Sequence, residues 1–403
     1  MNRCIYCGSY GPFTVEHVFP FSLGGGGDQW TLHQCVCADC NNLFSALERE
    51  LARHSLEALS RTAFGPVGRK RKKSTRNVPL YADGIYYLPE DDDLVYEGGL
   101  ELGFNPYLRA QLIEDHYPKY KLACSDREEM KRLIERIAHF FESESSIVIQ
   151  SPAAKGEPFI IAKLEIDRDG KISVVAEEPS NKPKGAWLEK LPSSIDRRRI
   201  TSRIFLDDEN RLIIRAESLN VAVRFLSIVF SAVSEQKSDF LQAVETSPSS
   251  STGTGPQFLI NTHFNLVLSA RAIAKIGVNV AAALYGEEFV NDPAFDEVKA
   301  FILGEKDQTW KAMGKYVQLA SESSPFNAFP TTPDKHWLLL TYQPSIGLLF
   351  GLRFYGTGGY IVKLADKKPD YFQLETFDLI TIDYLARQTK RLTPGDLLAL
   401  FQK

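Results

Sequence analysis

Cys4-Ile-Tyr-Cys7, Val15-Glu16-His17-Val18-Phe19-Pro20-Phe21-Ser22-Leu23-Gly24-Gly25 and Cys37-Ala-Asp-Cys40-Asn41-Asn42 follow one another at the start of this 403-residue chain. The two Cys-x-x-Cys pairs carry four thiolates, the donor set of a closed tetrahedral zinc site. Such a site anchors a unit too small to hold itself together by its core alone. Of the six cysteines, five lie in the first forty residues and Cys124 stands apart. A disulfide framework would spread its cysteines across the chain, so ligation of structural zinc by Cys4, Cys7, Cys37 and Cys40 is the expectation. Between the pairs lies a longer insert than a simple zinc ribbon holds, and it contains an acid beside a histidine, a proline and paired glycines.

This order resembles the HNH (ββα-metal, His-Me finger) endonuclease family, in the version that runs Cys-x-x-Cys, Glu/Asp-His-x-x-Pro, Leu-Gly-Gly, Cys-x-x-Cys-Asn. The resemblance covers roughly the first sixty residues. It implies a β-hairpin packed on a helix, zinc clasping the base and a catalytic divalent cation at the face. Phosphodiester hydrolysis needs an activated water, a cation on the crowded phosphorus and help for the leaving oxygen. A neutral imidazole can take the proton of water, which assigns His17 as general base. Glu16 and Asn41 offer hard oxygens suited to Mg2+ or Mn2+.

A helix opening near Asn41 puts Asn41, Ser45 and Glu48 on one face, so Glu48 either completes the cation's coordination or stays a solvated carboxylate. The family's middle asparagine has no counterpart near Thr31 or Leu32, which leaves His17 to be oriented by a backbone carbonyl, a loop group or His33. Ring position aside, His33 reads as a surface or packing residue, and Cys35 as a packed thiol.

Net charge over the whole chain is -4, yet its distribution is uneven. Residues 1 to 80 hold ten Lys or Arg against six Asp or Glu, and the remainder 37 against 45. Most of the basic excess is Arg69, Lys70, Arg71, Lys72, Lys73 and Arg76, a density suited to counterion release from a phosphate backbone or to a solvated linker. Nucleic acid is the expected partner, and the family leans towards DNA over RNA. The start carries no apolar run behind a basic flank, and the apolar run Phe225 to Val233 is far short of a span, so a cytoplasmic protein without a membrane partner is expected.

The expected fold class is α+β, with a zinc-bound ββα module over residues 1-62 and a basic linker over 63-80. An α+β domain is expected over 81-246, a flexible loop or linker over 247-256, and an α+β C-terminal domain, or a continuation, over 257-403. Ser125-Asp-Arg-Glu128 reads as a capping box with Met130, Ile134, Ile137 and Phe141 at helical spacing. Asp-Arg-Asp-Gly between Phe159-Ile166 and Lys171-Ala176 reads as a hairpin turn. Asp-Asp-Glu-Asn does the same between Arg203-Leu206 and Arg211-Ala216, ahead of an apolar helix at 219-234. A helix from Leu266 to Tyr285 stops at Gly286 with Ile273, Ile276, Val280 and Leu284 as its buried stripe, and Lys275 with Asn279 reads as part of its solvated face.

Gly356-Thr-Gly-Gly359 reads as a hairpin tip, and Thr393-Pro394-Gly-Asp396 as the start of a terminal helix. Nothing after residue 80 names a reaction. The expected activity is metal-dependent endonucleolytic cleavage, with the C-terminal region targeting the nuclease or restraining it through a signal ligand or regulatory protein, as in bacterial defence. The alternative is a non-catalytic, zinc-bound nucleic-acid-binding or scaffold protein.

Overall fold

A computed structural model describes residues 2-25, 30-65, 80, 84-89, 93-101, 105-142, 146-150, 157-181, 183-192, 195, 198-235, 257-261, 264-305, 309-320, 333-369, 377-393 and 395-396. The fold is mixed α+β. The basic run at 69-76 and the 247-256 stretch lie outside the described residues, as does the expected terminal helix apart from Gly395 and Asp396.

At the N-terminus β1 (Phe13–His17) pairs antiparallel with β2 (Thr31–Cys37), and α1 (Ala38–Arg53) follows at once. The helix begins three residues before Asn41, because Cys37 turns the chain from extended backbone into helix. It ends at Arg53. Ser55 accepts the Ala58 N–H and donates to the Leu51 carbonyl, so a second helix, α2 (Leu56–Phe64), starts there. Phe44, Leu47 and Leu51 form the buried face of α1.

The middle of the chain builds an eight-stranded mixed sheet. Its strand order is Ile172–Ser180, Phe159–Ile166, Ser146–Gln150, Ala186–Lys190, Leu212–Ala216, Arg203–Leu206, Gln111–Glu114, Tyr120–Ala123. Helices α3 (Arg127–Glu142) and α4 (Leu219–Glu235) cover it and share one apolar cluster with it. Met130, Ile134 and Ile137 are buried there, while Phe141 is only partly so. The cap of α3 is Asp126, whose carboxylate takes the Glu128 N–H at 2.9 Å; Ser125 instead accepts the Leu108 N–H from a neighbouring strand. Both expected hairpins form, each turn held by an aspartate, Asp167 or Asp207, that accepts two backbone N–H groups.

Helix α5 (Leu266–Tyr285) organises the other half. Its length and composition would suit a membrane span, yet most of it is buried inside the protein. A six-stranded antiparallel sheet lies against it, with the central hairpin Gly347–Arg353 and Gly359–Ala365 turning at Tyr355 and Gly356, both at positive φ. Gly277 in mid-helix lets the Phe350 ring approach, since a Cβ there would lie 2.8 Å from it. One apolar cluster joins α1, β2, α5 and this sheet, so the cysteine-rich N-terminal unit shares its core with residues 270 to 384. The strand Gln257–Asn261 likewise pairs back onto Gly84–Leu88 across the 247-256 stretch.

Three C-terminal groups fasten the Pro20 to Gly25 turn. Arg387 stacks 3.8 Å from the Phe21 ring centre and donates to the Phe21 carbonyl. Gly24, at φ +91, lies so close to Tyr384 that a Cβ would sit 2.2 Å from it. His336 is buried and its Nε2 lies 2.7 Å from the Leu23 carbonyl, while its Nδ1 accepts the Tyr355 N–H at 3.2 Å. The ring is therefore neutral, with its proton on Nε2.

Burial pushes the His336 pKa down to about 4. Unfolded histidine titrates near about 6.5, so the folded state binds fewer protons in between, and this contribution is complete above that pH and lost as pH falls towards 4. The expected loss is on the order of 3 kcal/mol between those limits. Denaturant midpoints of wild type and His336→Gln across this range check it: the variant must lack that part of the acid slope, and parallel curves would contradict the assignment.

Candidate metal centre and adjoining buried polar network

The sulfur atoms of Cys4, Cys7, Cys37 and Cys40 all lie within 4.8 Å of one another, and Cys7 to Cys37 is 3.6 Å. Four sulfurs bound about 2.3 Å from one zinc would be roughly 3.8 Å apart, so the donor set and its spacing fit that ion. Local structure explains the clasp. The first pair sits in a tight turn, with Gly8 N–H on the Cys4 carbonyl and Cys4 N–H on the Ser9 carbonyl, and Gly8 supplies the positive φ. The second pair caps and opens α1, so both of its cysteines sit at the helix's N-terminal turn.

Hydrogen bonding from Cys40, helped by backbone N–H groups, pulls the Cys4 thiol down to about 4. Burial pushes the neighbouring Cys35 up to about 12, a packed thiol outside the cluster. Cys124 is half-buried and its thiol is also raised by burial, which suits no nucleophilic role.

Glu16 and His17 are successive residues of β1 and part ways. The Glu16 side chain is buried and forms an ion pair with Lys275, and its Oε1 accepts the Asn279 amide at 3.1 Å. Lys275 Nζ, fully buried, also lies 2.6 Å from Glu48. Asn279 donates to the His17 carbonyl at 3.1 Å, and Tyr6 Oη donates to Asn279 Oδ1 at 2.6 Å. The Phe44 ring closes the group, edge-on to Tyr6 and 5.6 Å from the ammonium. Burial would lower the Lys275 pKa, but Glu48 and Glu16 hold it above its ordinary value.

The His17 imidazole, by contrast, is half-buried beside Phe21 at 5.9 Å between ring centres. Among the described residues nothing hydrogen-bonds its nitrogens; His33, exposed, pairs with Thr31 instead. Asn41 directs its amide N–H groups to Thr14 Oγ1 at 2.7 Å and the Val15 carbonyl at 3.2 Å, tying α1 to β1.

Comparison with family models, curated proteins and solved structures gave no match.

The structure thus assembles the four cysteines, and it gathers Glu16 with Glu48. It gathers those carboxylates on an ammonium, and it sets Asn41 against the β1 backbone. Glu48 is about a quarter exposed and pairs with Lys275. Lys275 and Asn279, expected on a solvated face, are instead fully buried, and this is the main correction to the sequence expectations. The signal was present: a lysine and an asparagine one turn apart in a helix whose other polar residues are few, chiefly Ser269 and Arg271, go inside with it and must then find partners. Tyr6, inside the first cysteine turn, gave no such signal.

A separate cavity of about 230 Å3 opens at the eight-stranded sheet, lined in part by Arg109, Arg211 and Arg215. Each of these guanidiniums already has a carboxylate partner, Asp208, Asp207 and Glu97 respectively.

Proposed function

We propose that this chain is an HNH-type endonuclease that hydrolyses phosphodiester bonds in nucleic acid, DNA before RNA, with His17 as general base. The observation that carries it is the combination of a four-cysteine clasp with a β-β-α unit in which an accessible imidazole closes the first strand. Zinc on Cys4, Cys7, Cys37 and Cys40 would be structural, since four thiolates leave no open position for substrate or water. In this scheme His17 takes the proton of the attacking water, and the Pro20 to Gly25 turn, pinned by His336 and Arg387, fixes the end of β1 that carries it. The basic residues 69-76 would bind the phosphate backbone.

The expected Mg2+ or Mn2+ ligands fit less well. Glu16 and Glu48 both have Lys275 as partner, so no step is assigned to a cation held by them. That same pairing favours a second reading, in which the unit is a zinc-bound nucleic-acid-binding scaffold without catalysis.

Supercoiled plasmid, single-stranded DNA and structured RNA, each incubated with Mg2+, Mn2+ or EDTA, separate the two. Cleavage by wild type that falls about 100- to 10,000-fold in His17→Ala is the expected result. Binding of nucleic acid by both proteins without cleavage would leave the scaffold reading, and equal cleavage by both would remove His17 from the chemistry.

A further inference from the structure

We infer that Lys275 is the resident cation of the Glu16 and Glu48 carboxylates, standing where the nuclease reading would place a divalent metal ion, and that α5 thereby holds the His17 strand end in place. This inference rests on that reading of the N-terminal unit.

The charge compensation is local but partial: one ammonium faces two carboxylates, which leaves a net charge of -1. Glu16 cannot be neutralised by solvent, because it is 3% exposed, and the positive charge that neutralises it comes from a side chain with no exposure at all. Glu48 is about a quarter exposed and meets the same ammonium from α1. One cation bridging two hard carboxylates is the arrangement of a divalent ion on its ligands, here built from protein alone. A metal ion bound to Glu16 at ordinary coordination distances would lie against the ammonium, two cations in a water-poor pocket, so the two occupants exclude each other.

The remaining contacts give Lys275 a mechanical role. Lys275 Nζ and Asn279 Nδ2 lie 3.5 and 3.1 Å from the His17 carbonyl. Tyr6 reaches Asn279 Oδ1 and the Lys275 carbonyl, so the cysteine turn, β1 and α5 close on one another through this group. Lys275 and Asn279 are therefore positioning residues: they touch the backbone of His17 and leave its imidazole to the other side of the strand.

Mn2+ titration of the full-length, zinc-loaded protein, followed by the EPR signal of free Mn2+, tests this. Wild type and Glu16→Gln are expected to bind Mn2+ identically, and Lys275→Gln to gain a site at least tenfold tighter that vanishes again in Glu16→Gln/Lys275→Gln. Glu16-dependent Mn2+ binding by wild type would overturn the inference, and so would a folded Lys275→Gln that gains no site. If Lys275→Gln does not fold, the comparison of wild type with Glu16→Gln decides alone. The readout is cation binding, so a protein that cleaves nothing still passes or fails here, and the nuclease reading stands or falls separately on His17.

Discussion

Stripping zinc at neutral pH is expected to cost this protein more stability than any single core substitution, on the order of 10 kcal/mol if the site behaves like other structural zinc sites. The four cysteines hold the turn, β2 and the start of α1 together, and behind them Phe44, Leu47 and Leu51 enter the same apolar cluster as α5 and the six-stranded sheet. Freeing the clasp therefore loosens one wall of a large core. The cluster under α3 and α4 contains none of those residues, so its melting is expected to be unchanged. Elemental analysis should find about one zinc per chain, and calorimetry with and without chelator, beside Cys37→Ser, should show one transition move and the other stay. A zinc-free protein with an unaltered melting profile would refute the clasp.

Lys275→Met is expected to destabilise by about 3 to 5 kcal/mol, because it leaves the Glu16 carboxylate buried beside an apolar side chain. Glu48, partly exposed, can turn to water; Glu16 cannot. Restoring charge balance with Glu16→Gln/Lys275→Met should recover part of the loss, giving a coupling of about 1 to 3 kcal/mol in a double-mutant cycle. Denaturant unfolding of the four proteins measures it. A single variant that costs under about 1 kcal/mol would mean that the carboxylate is satisfied elsewhere, and the network would lose its meaning.

Much of the local structure was legible in the order of residues. The span of α5 follows from a long, mainly apolar run ended by Gly286, and the two aspartate-led turns follow from side chains placed to take backbone N–H groups. The four-cysteine cluster was legible too, since Cys-x-x-Cys spacing brings two sulfurs close together. The end of α1 was not, because Leu43 to Leu51 and the residues beyond Ser55 share a helical period, and only the hydrogen bonds of Ser55 separate them. The role of Asn41 was also hidden. Its place in a motif suggested an oxygen donor, and only the folded chain shows that its amide N–H groups tie helix to strand at Thr14 and Val15.

By itself, then, the sequence determined what depends on short spacing: the clasp of Cys4, Cys7, Cys37 and Cys40, the hairpins, and the long apolar helix. Tertiary structure alone decided the partners of Glu16 and Glu48. Lys275 stands some 260 residues from Glu16, and its low exposure comes from packing by α1, β1 and the C-terminal sheet around α5, not from its neighbours in the chain. Which carboxylate a buried ammonium meets is set by what closes over it, and no local pattern names that partner.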